Sequence, residues 1–149
     1  IGKSNTVNEA NTIKLRLIIK DEFGGGINKR DLQCTEYVEY RIQRLGVSIT
    51  WPVDRPRNGG KWADIFARNA LYSISDMPME KCAVCLTTGI STDPAINEVG
   101  HVAYVEEVFP DGSIKVSEAN WPNSGIYSER ILPKSKWQNQ YKCRFVDFL

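Results

Sequence analysis

The sequence is short of several things, and each shortage excludes a class of function. It has no surplus of charge: 19 basic residues stand against 18 acidic ones, a formal net charge of +1. A dedicated nucleic-acid binder usually gathers a basic excess on one face, so that class is disfavoured. Binding to a membrane surface or to teichoic acid by bulk charge is unsupported on the same ground. No apolar run approaches the roughly 18 residues that read as a membrane span. The stretch from Ile13 to Ile19 is too short and carries Lys14 and Arg16. No internal repeat, low-complexity tract or signal peptide is visible. The chain begins at Ile1 without Met and is expected to be a mature form or an excised domain.

Cysteine is sparse as well. Four in 149 residues are too few for a small disulfide scaffold. Four allow three complete pairings, among which sequence does not choose. Histidine is scarcer still: His101 is the only one. Any imidazole base must therefore be this residue. Acidic residues upstream of Cys34 are limited to Asp21, Glu22 and Asp31 in the relevant stretch, without the dense ladder that an oxygen-ligand calcium site needs. No metal and no cofactor are expected.

What is present fits one domain with a real core: 42% of residues are hydrophobic and 25% charged. Residues 1–30 read as an arm and lead-in, of which 1–11 are small and polar. Residues 12–20 fit a strand or a short helix equally well. The run Phe23-Gly24-Gly25-Gly26 is a flexible break. From Cys34, apolar Tyr37, Val38, Ile42 and Leu45 recur at helical spacing. Asp31 is a candidate cap, and Gly46 a stop. A loop over 51–60 leads to a second expected helix over about 61–71, with Trp62, Ile65, Phe66 and Ala70 on one side. Strands are expected over 82–87, 99–108, 113–119 and 141–148, with a turn at Pro110-Asp111-Gly112. Helices followed by an antiparallel meander make an α+β domain.

The chemistry-bearing residues fall at element starts. Cys34 opens a helix, where unpaired N–H groups and the helix dipole favour an anion such as a thiolate. A buried structural cysteine is the commoner fate of such a residue. His101 opens a strand, and a thiol nucleophile needs a base that titrates near neutrality. A four-residue loop over 110–113 would pair Phe109 with Ile114, Val105 with Glu118 and Ala103 with Asn120. His101 then lies diagonal to Asn120 on one face. In that register Asn120 or Glu118 accepts the Nδ1 proton of His101 and aims the other nitrogen at Cys34. A three- or five-residue loop without a bulge would separate them onto opposite faces.

These pieces, taken in order, resemble the CHAP domain, the cysteine, histidine-dependent amidohydrolase/peptidase family. They are Gln33-Cys34-Thr35 opening a Tyr-rich helix, Gly100-His101-Val102-Ala103, Asp111-Gly112-Ser113-Ile114, and Ser117-Glu118-Ala119-Asn120-Trp121. Asn58-Gly59-Gly60-Lys61-Trp62-Ala63 is a weaker match. The set covers the chain from about Asp31 to Trp121. The resemblance implies a papain-like α+β fold over 31–149, with N-terminal helices packed on an antiparallel β-sheet. It implies hydrolysis of a peptidoglycan amide bond, with Cys34 as nucleophile, His101 as base, and Glu118 and Asn120 as orienting residues. Gln33 is a candidate second oxyanion donor, and Trp121 and Trp51 are candidate groove walls. A monomer, secreted or in the cell envelope, is expected, with an immunity protein as partner should it be a toxin. A silent wall-binding module and an amidase acting on a small non-wall peptide conjugate are the competing readings.

Two features depart from the family pattern. The segment Met77 to Cys82 lacks a Gly before the first core strand, and residues 89–98 form a long loop ahead of the His strand. Cys82 and Cys85 form a C-x-x-C, but residues three apart on a strand face opposite sides, which disfavours a bridge between them. Cys143 is expected in the core, with a bridge to Cys82 or Cys85 as the runner-up.

Overall fold

The computed structural model describes residues 12, 14–19, 32–121 and 125–149. The expected polar arm at 1–11, the glycine break at 23–26, and the acids Asp21, Glu22 and Asp31 lie outside the described residues. Within 12–20, residues 14–19 are helical, and Ile19 is buried with Leu32 in the core.

The periodicity of Tyr37, Val38 and Ile42 yields helix α1, Cys34–Gln43, which buries those three side chains and Tyr40. The residue that caps it is Gln33, whose backbone N–H donates to Glu36 Oε1 at 3.1 Å. This reciprocal box satisfies the helix start locally. Gly46 adopts φ +90, a conformation suited to a helix stop. Helix α2 is Trp62–Arg68, shorter than the span expected, because Ala70 turns to φ 53 and is exposed. A 3-10 turn, Gly59–Lys61, leads into it. Residues 89–98, read from sequence as loop, hold all but the last residue of helix α3, Pro94–Val99. Its signals are a proline at the first turn and Asp93 Oδ1 accepting from Ala95 N at 2.9 Å.

Six antiparallel strands form one sheet: β1 Ser73–Ser75, β2 Ala83–Leu86, β3 His101–Val108, β4 Ile114–Ala119, β5 Tyr127–Leu132 and β6 Arg144–Asp147. Their order across the sheet is β1-β6-β2-β3-β4-β5. The fold is α+β, with α1 and α2 on one face of the sheet. That face carries one core, including Tyr37, Phe66, Cys85 and Tyr104. The other face carries a second core around Val84, Val105, Val116, Trp137 and Phe145. Period-two alternation along β3 and β4 feeds both. All four cysteines are free thiols; Cys82, Cys85 and Cys143 are buried. The runner-up bridge from Cys143 is therefore not formed.

The β3–β4 register differs from the expected one. Val108 pairs with Ile114 and Glu107 with Lys115; a bulge follows, after which Val105 pairs with Val116 and Tyr104 with Ser117. The hairpin is tighter than expected, with Phe109 N donating to Ser113 O at 2.9 Å and Gly112 at φ +90. Taken alone, that tighter turn would place His101 and Glu118 on opposite faces. The extra residue at the bulge, Glu106, reverses the alternation once more and returns both to one face.

Candidate active site

The site forms where the N-terminus of α1 meets the first residues of β3 and the last of β4. Two glycines make the approach fit. A Cβ on Gly60 would lie 2.6 Å from the Gly100 Cα and 2.9 Å from the Leu86 carbonyl oxygen. Gly59 is as tight, 2.8 Å from the Val102 backbone N. The segment Asn58-Gly59-Gly60 therefore lies flat against Gly100-His101-Val102, which no larger side chain allows.

His101 is buried, and its Nε2 is 3.0 Å from Glu118 Oε1. The remaining ring nitrogen, Nδ1, is left for the Cys34 thiol, with which the imidazole is hydrogen-bonded. The sequence reading had the two nitrogens in the reverse roles. Burial alone pushes the Cys34 thiol up, but the hydrogen bond to His101 and its charge outweigh this, helped by the Val102 and Thr35 backbone; the thiol is held below its ordinary value. Burial likewise disfavours the imidazolium, yet the hydrogen bonds to Cys34 and Glu118 prevail and raise His101 to about 9. Both shifts favour the thiolate and imidazolium forms of the pair.

Glu118 is fully buried and would be costly as an unpaired charge. Arg130, on β5, provides the counter-charge: its Nε donates to Glu118 Oε2 at 2.6 Å and its Nη2 to Oε1 at 3.2 Å. Sequence reasoning missed Arg130, since β5 itself carries the polar run Ser128-Glu129-Arg130 and does not read as a buried strand.

Asn120 is not hydrogen-bonded to the imidazole, whose partners are Glu118 and Cys34. It leaves the strand at φ 66; its Oδ1 accepts from Gly125 N at 2.6 Å and its Nδ2 donates to Gln33 Oε1 at 3.3 Å. Its link is therefore to the residue preceding the nucleophile. Gln33, Cys34, His101, Asn120 and Trp121 all line one cleft of ≈ 390 Å³. Arg57, Ile90, Ile96 and Val99 complete much of its wall. Trp51 lies in a neighbouring hollow of ≈ 180 Å³ that shares Thr35 and Arg57 with the cleft. Its ring packs on Trp62 and Phe66 at centroid distances of 5.1 and 5.0 Å, and its Nε1 donates to Glu39 at 3.2 Å. It lines that hollow and not the cleft itself. Among the described residues, no group of three or more His, Cys, Asp or Glu is arranged to hold a metal ion.

The chain is 37% identical over 100 residues to an N-acetylmuramoyl-L-alanine amidase domain-containing protein of Staphylococcus aureus, covering 67% of this chain and 15% of that protein. It is 34% identical over 107 residues to staphylococcal secretory antigen SsaA of Staphylococcus epidermidis, covering 70% of this chain and 35% of that protein. The chain thus spans well under half the length of these relatives. Among solved structures, the N-acetylmuramoyl-L-alanine amidase from Staphylococcus aureus superposes with a TM-score of 0.62 at 31% identity, covering 78% of this chain and 30% of that one. The structure of Ly7917 with the hydrolysing product of MDP matches at 16% identity and a TM-score of 0.54, a likeness of fold alone; it covers 78% of this chain and 54% of that one. The CHAP domain family model matches residues 24–120, a span that takes in Gln33, Cys34, His101, Glu118 and Asn120 alike, and the chain belongs to the CHAP domain family.

Proposed function

We propose that the chain is a cysteine hydrolase that cuts an amide bond of peptidoglycan. The observation that carries this reading is the Cys34–His101–Glu118 series at one cleft, with the thiol held low and the imidazole raised to about 9. The names of the amidase relatives support the substrate class, and the secretory antigen supports a secreted or envelope location.

In this reading the Cys34 thiolate attacks the scissile carbonyl carbon. The developing oxyanion is met by the Cys34 backbone N–H at the helix start. Gln33 is the second donor: with its oxygen engaged by Asn120, the end left for substrate is Nε2. The imidazolium passes its proton to the leaving amine, and a thioester forms as the C–N bond breaks. Water then attacks the thioester, His101 taking its proton, and Cys34 leaves as thiolate. Glu118 holds the ring in register and stabilises its charge, and Arg130 holds Glu118 in place as its ion-pair partner. Asn120 acts through Gln33, not through His101.

The test is digestion of purified peptidoglycan by the wild type beside Cys34→Ala, with products read by mass spectrometry. New fragments from the wild type alone are expected, and new L-alanyl amines would assign an amidase, other amines an endopeptidase. Failure to cut walls from several species would sink the assignment and favour a binding module or a small-molecule amidase. His101→Ala is expected to be as inactive as Cys34→Ala while melting at a wild-type temperature.

A further inference from the structure

We propose that Arg57 is a substrate-binding residue that anchors a carboxylate of the ligand, outside the scissile amide, at the junction of the catalytic cleft and the hollow beside Trp51. This rests on the reading of the cleft as an amide-hydrolase site, and deepens it by naming a feature the substrate must carry.

Arg57 is the only Lys, Arg, Asp or Glu among the described residues lining the cleft. Every other polar lining side chain, apart from Cys34 and His101, is a neutral hydroxyl, carboxamide or indole. Arg57 also lines the adjoining hollow, so it sits where an extended ligand would pass between them. Its orientation is fixed from the protein side. The guanidinium stacks on Trp51, 4.7 Å from the ring centroid, and Nη2 donates to the Pro52 carbonyl oxygen at 2.7 Å.

Among the described residues the same side chain lacks a counter-ion. No described carboxylate forms an ion pair with it. The neighbouring acids are committed elsewhere: Asp54 accepts from Arg68 at 2.9 Å and Asn69 at 3.0 Å, and Glu39 accepts from Trp51. The Nε atom is buried without any hydrogen-bond partner, an unusual state for a buried donor. Nη1 and the second N–H of Nη2 are then the donors left for a ligand. Burial and the Arg55 charge hold the group below the ordinary arginine value, partly offset by Glu39 and Asp54. A fixed, partly desolvated guanidinium without a counter-ion is the arrangement that gains most from an incoming carboxylate. The remaining wall, with Ile90, Ile96 and Val99, suits small aliphatic side chains. Together these features fit a short peptide with an apolar residue and a free carboxylate. A neutral sugar chain or a fully amidated peptide would leave Arg57 unanswered.

The test separates recognition from turnover by using the Cys34→Ala protein as the binding partner. Soluble muropeptides are prepared in two forms, one native and one with carboxyl groups converted to amides by carbodiimide and ammonia. Calorimetric titration is expected to give at least about tenfold tighter binding of the native form. That preference should vanish in Cys34→Ala/Arg57→Gln, and return in part in Cys34→Ala/Arg57→Lys. Retained melting temperature in each variant checks the fold. Equal affinity for the two forms, no binding of either, or a preference that survives Arg57→Gln would overturn the carboxylate anchor. Wild-type turnover of the same muropeptides reports separately on the hydrolase reading.

Discussion

At the scale of single residues, the site is an argument about which charges coexist. A thiolate and an imidazolium stabilise each other, so each shifts the other's titration. The working pair exists between the lowered value of Cys34 and the value of about 9 for His101. Below that window the thiol is protonated and cannot attack; above it the imidazole is neutral and cannot protonate the leaving amine. A bell-shaped rate profile is expected, with its alkaline limb near pH 9. Glu118→Gln removes one of the two groups that raise His101, so the alkaline limb should move to lower pH. The rate should also fall by about 10²–10⁴, the order seen when an orienting carboxylate is lost. An alkaline limb that stays in place would show that Glu118 does not set the titration of His101. The other three thiols form a built-in control. Burial pushes Cys82 and Cys85 up to about 12, and Cys143 is raised for the same reason. At neutral pH, iodoacetamide should label Cys34 alone in the folded protein, as read by peptide mapping.

Elements, one scale up, explain how those residues come to meet. The bulge at Glu106 is held in place from across the fold. Its carboxylate pairs with both terminal nitrogens of Arg41 on α1, one of them Nη2 at 3.1 Å, and accepts from the Ser117 hydroxyl at 2.7 Å. Tyr37 adds to the same network, donating to Ser117 Oγ at 2.7 Å. The helix that carries Cys34 is thereby fastened to the irregularity that sets the face of His101. Deleting Glu106 should slide β3 by one residue against β4 and put His101 and Glu118 on opposite faces. Loss of activity, together with loss of the selective Cys34 alkylation, is the expected result; retained activity would mean the register is set elsewhere. Gly60→Ala tests the other approach, since its Cβ must push Gly100 away; a destabilisation of about 1–3 kcal/mol in denaturant titration is expected.

These elements also show what the sequence could and could not carry. Helix α1 and strands β3 and β4 were legible because their apolar periodicity is strong, and Cys34 and His101 because each opens such an element. The choice between Glu118 and Asn120 was not legible, because it turns on one bulged residue that leaves no mark on the hydrophobic pattern. Glu118 looks like a solvent-facing acid until Arg130 is seen beside it. Strand β5 and helix α3 were missed for a related reason: the first buries polar residues by pairing them, and the second is short and held by its cap.

For the molecule as a whole, the site depends on both cores at once. Cys34 packs against the helix-side core, which includes Cys85 and Val102. His101 and Glu118 alternate along β3 and β4 with residues of that core, so they face the opposite one, where Ala103, Val105 and Val116 are buried with Cys82 and Cys143. The sheet between them is a single sheet in which β3 pairs with β2 over residues 101–104 and with β4 over residues 104–108. Neither face can loosen without moving one half of the Cys34–His101 pair. A chain built this way should unfold in one cooperative step, with no partly open form that keeps activity. The buried thiols report on each face directly. In a denaturant series, pulse alkylation of Cys85 and of Cys82 and Cys143 should rise with the same midpoint, and that midpoint should coincide with the loss of hydrolysis. Were Cys82 and Cys143 to become reactive at lower denaturant than Cys85, the two cores would be separate units. Activity would then be expected to follow the weaker of them, because the imidazole and its carboxylate are held on the Cys82 side and the nucleophile on the other.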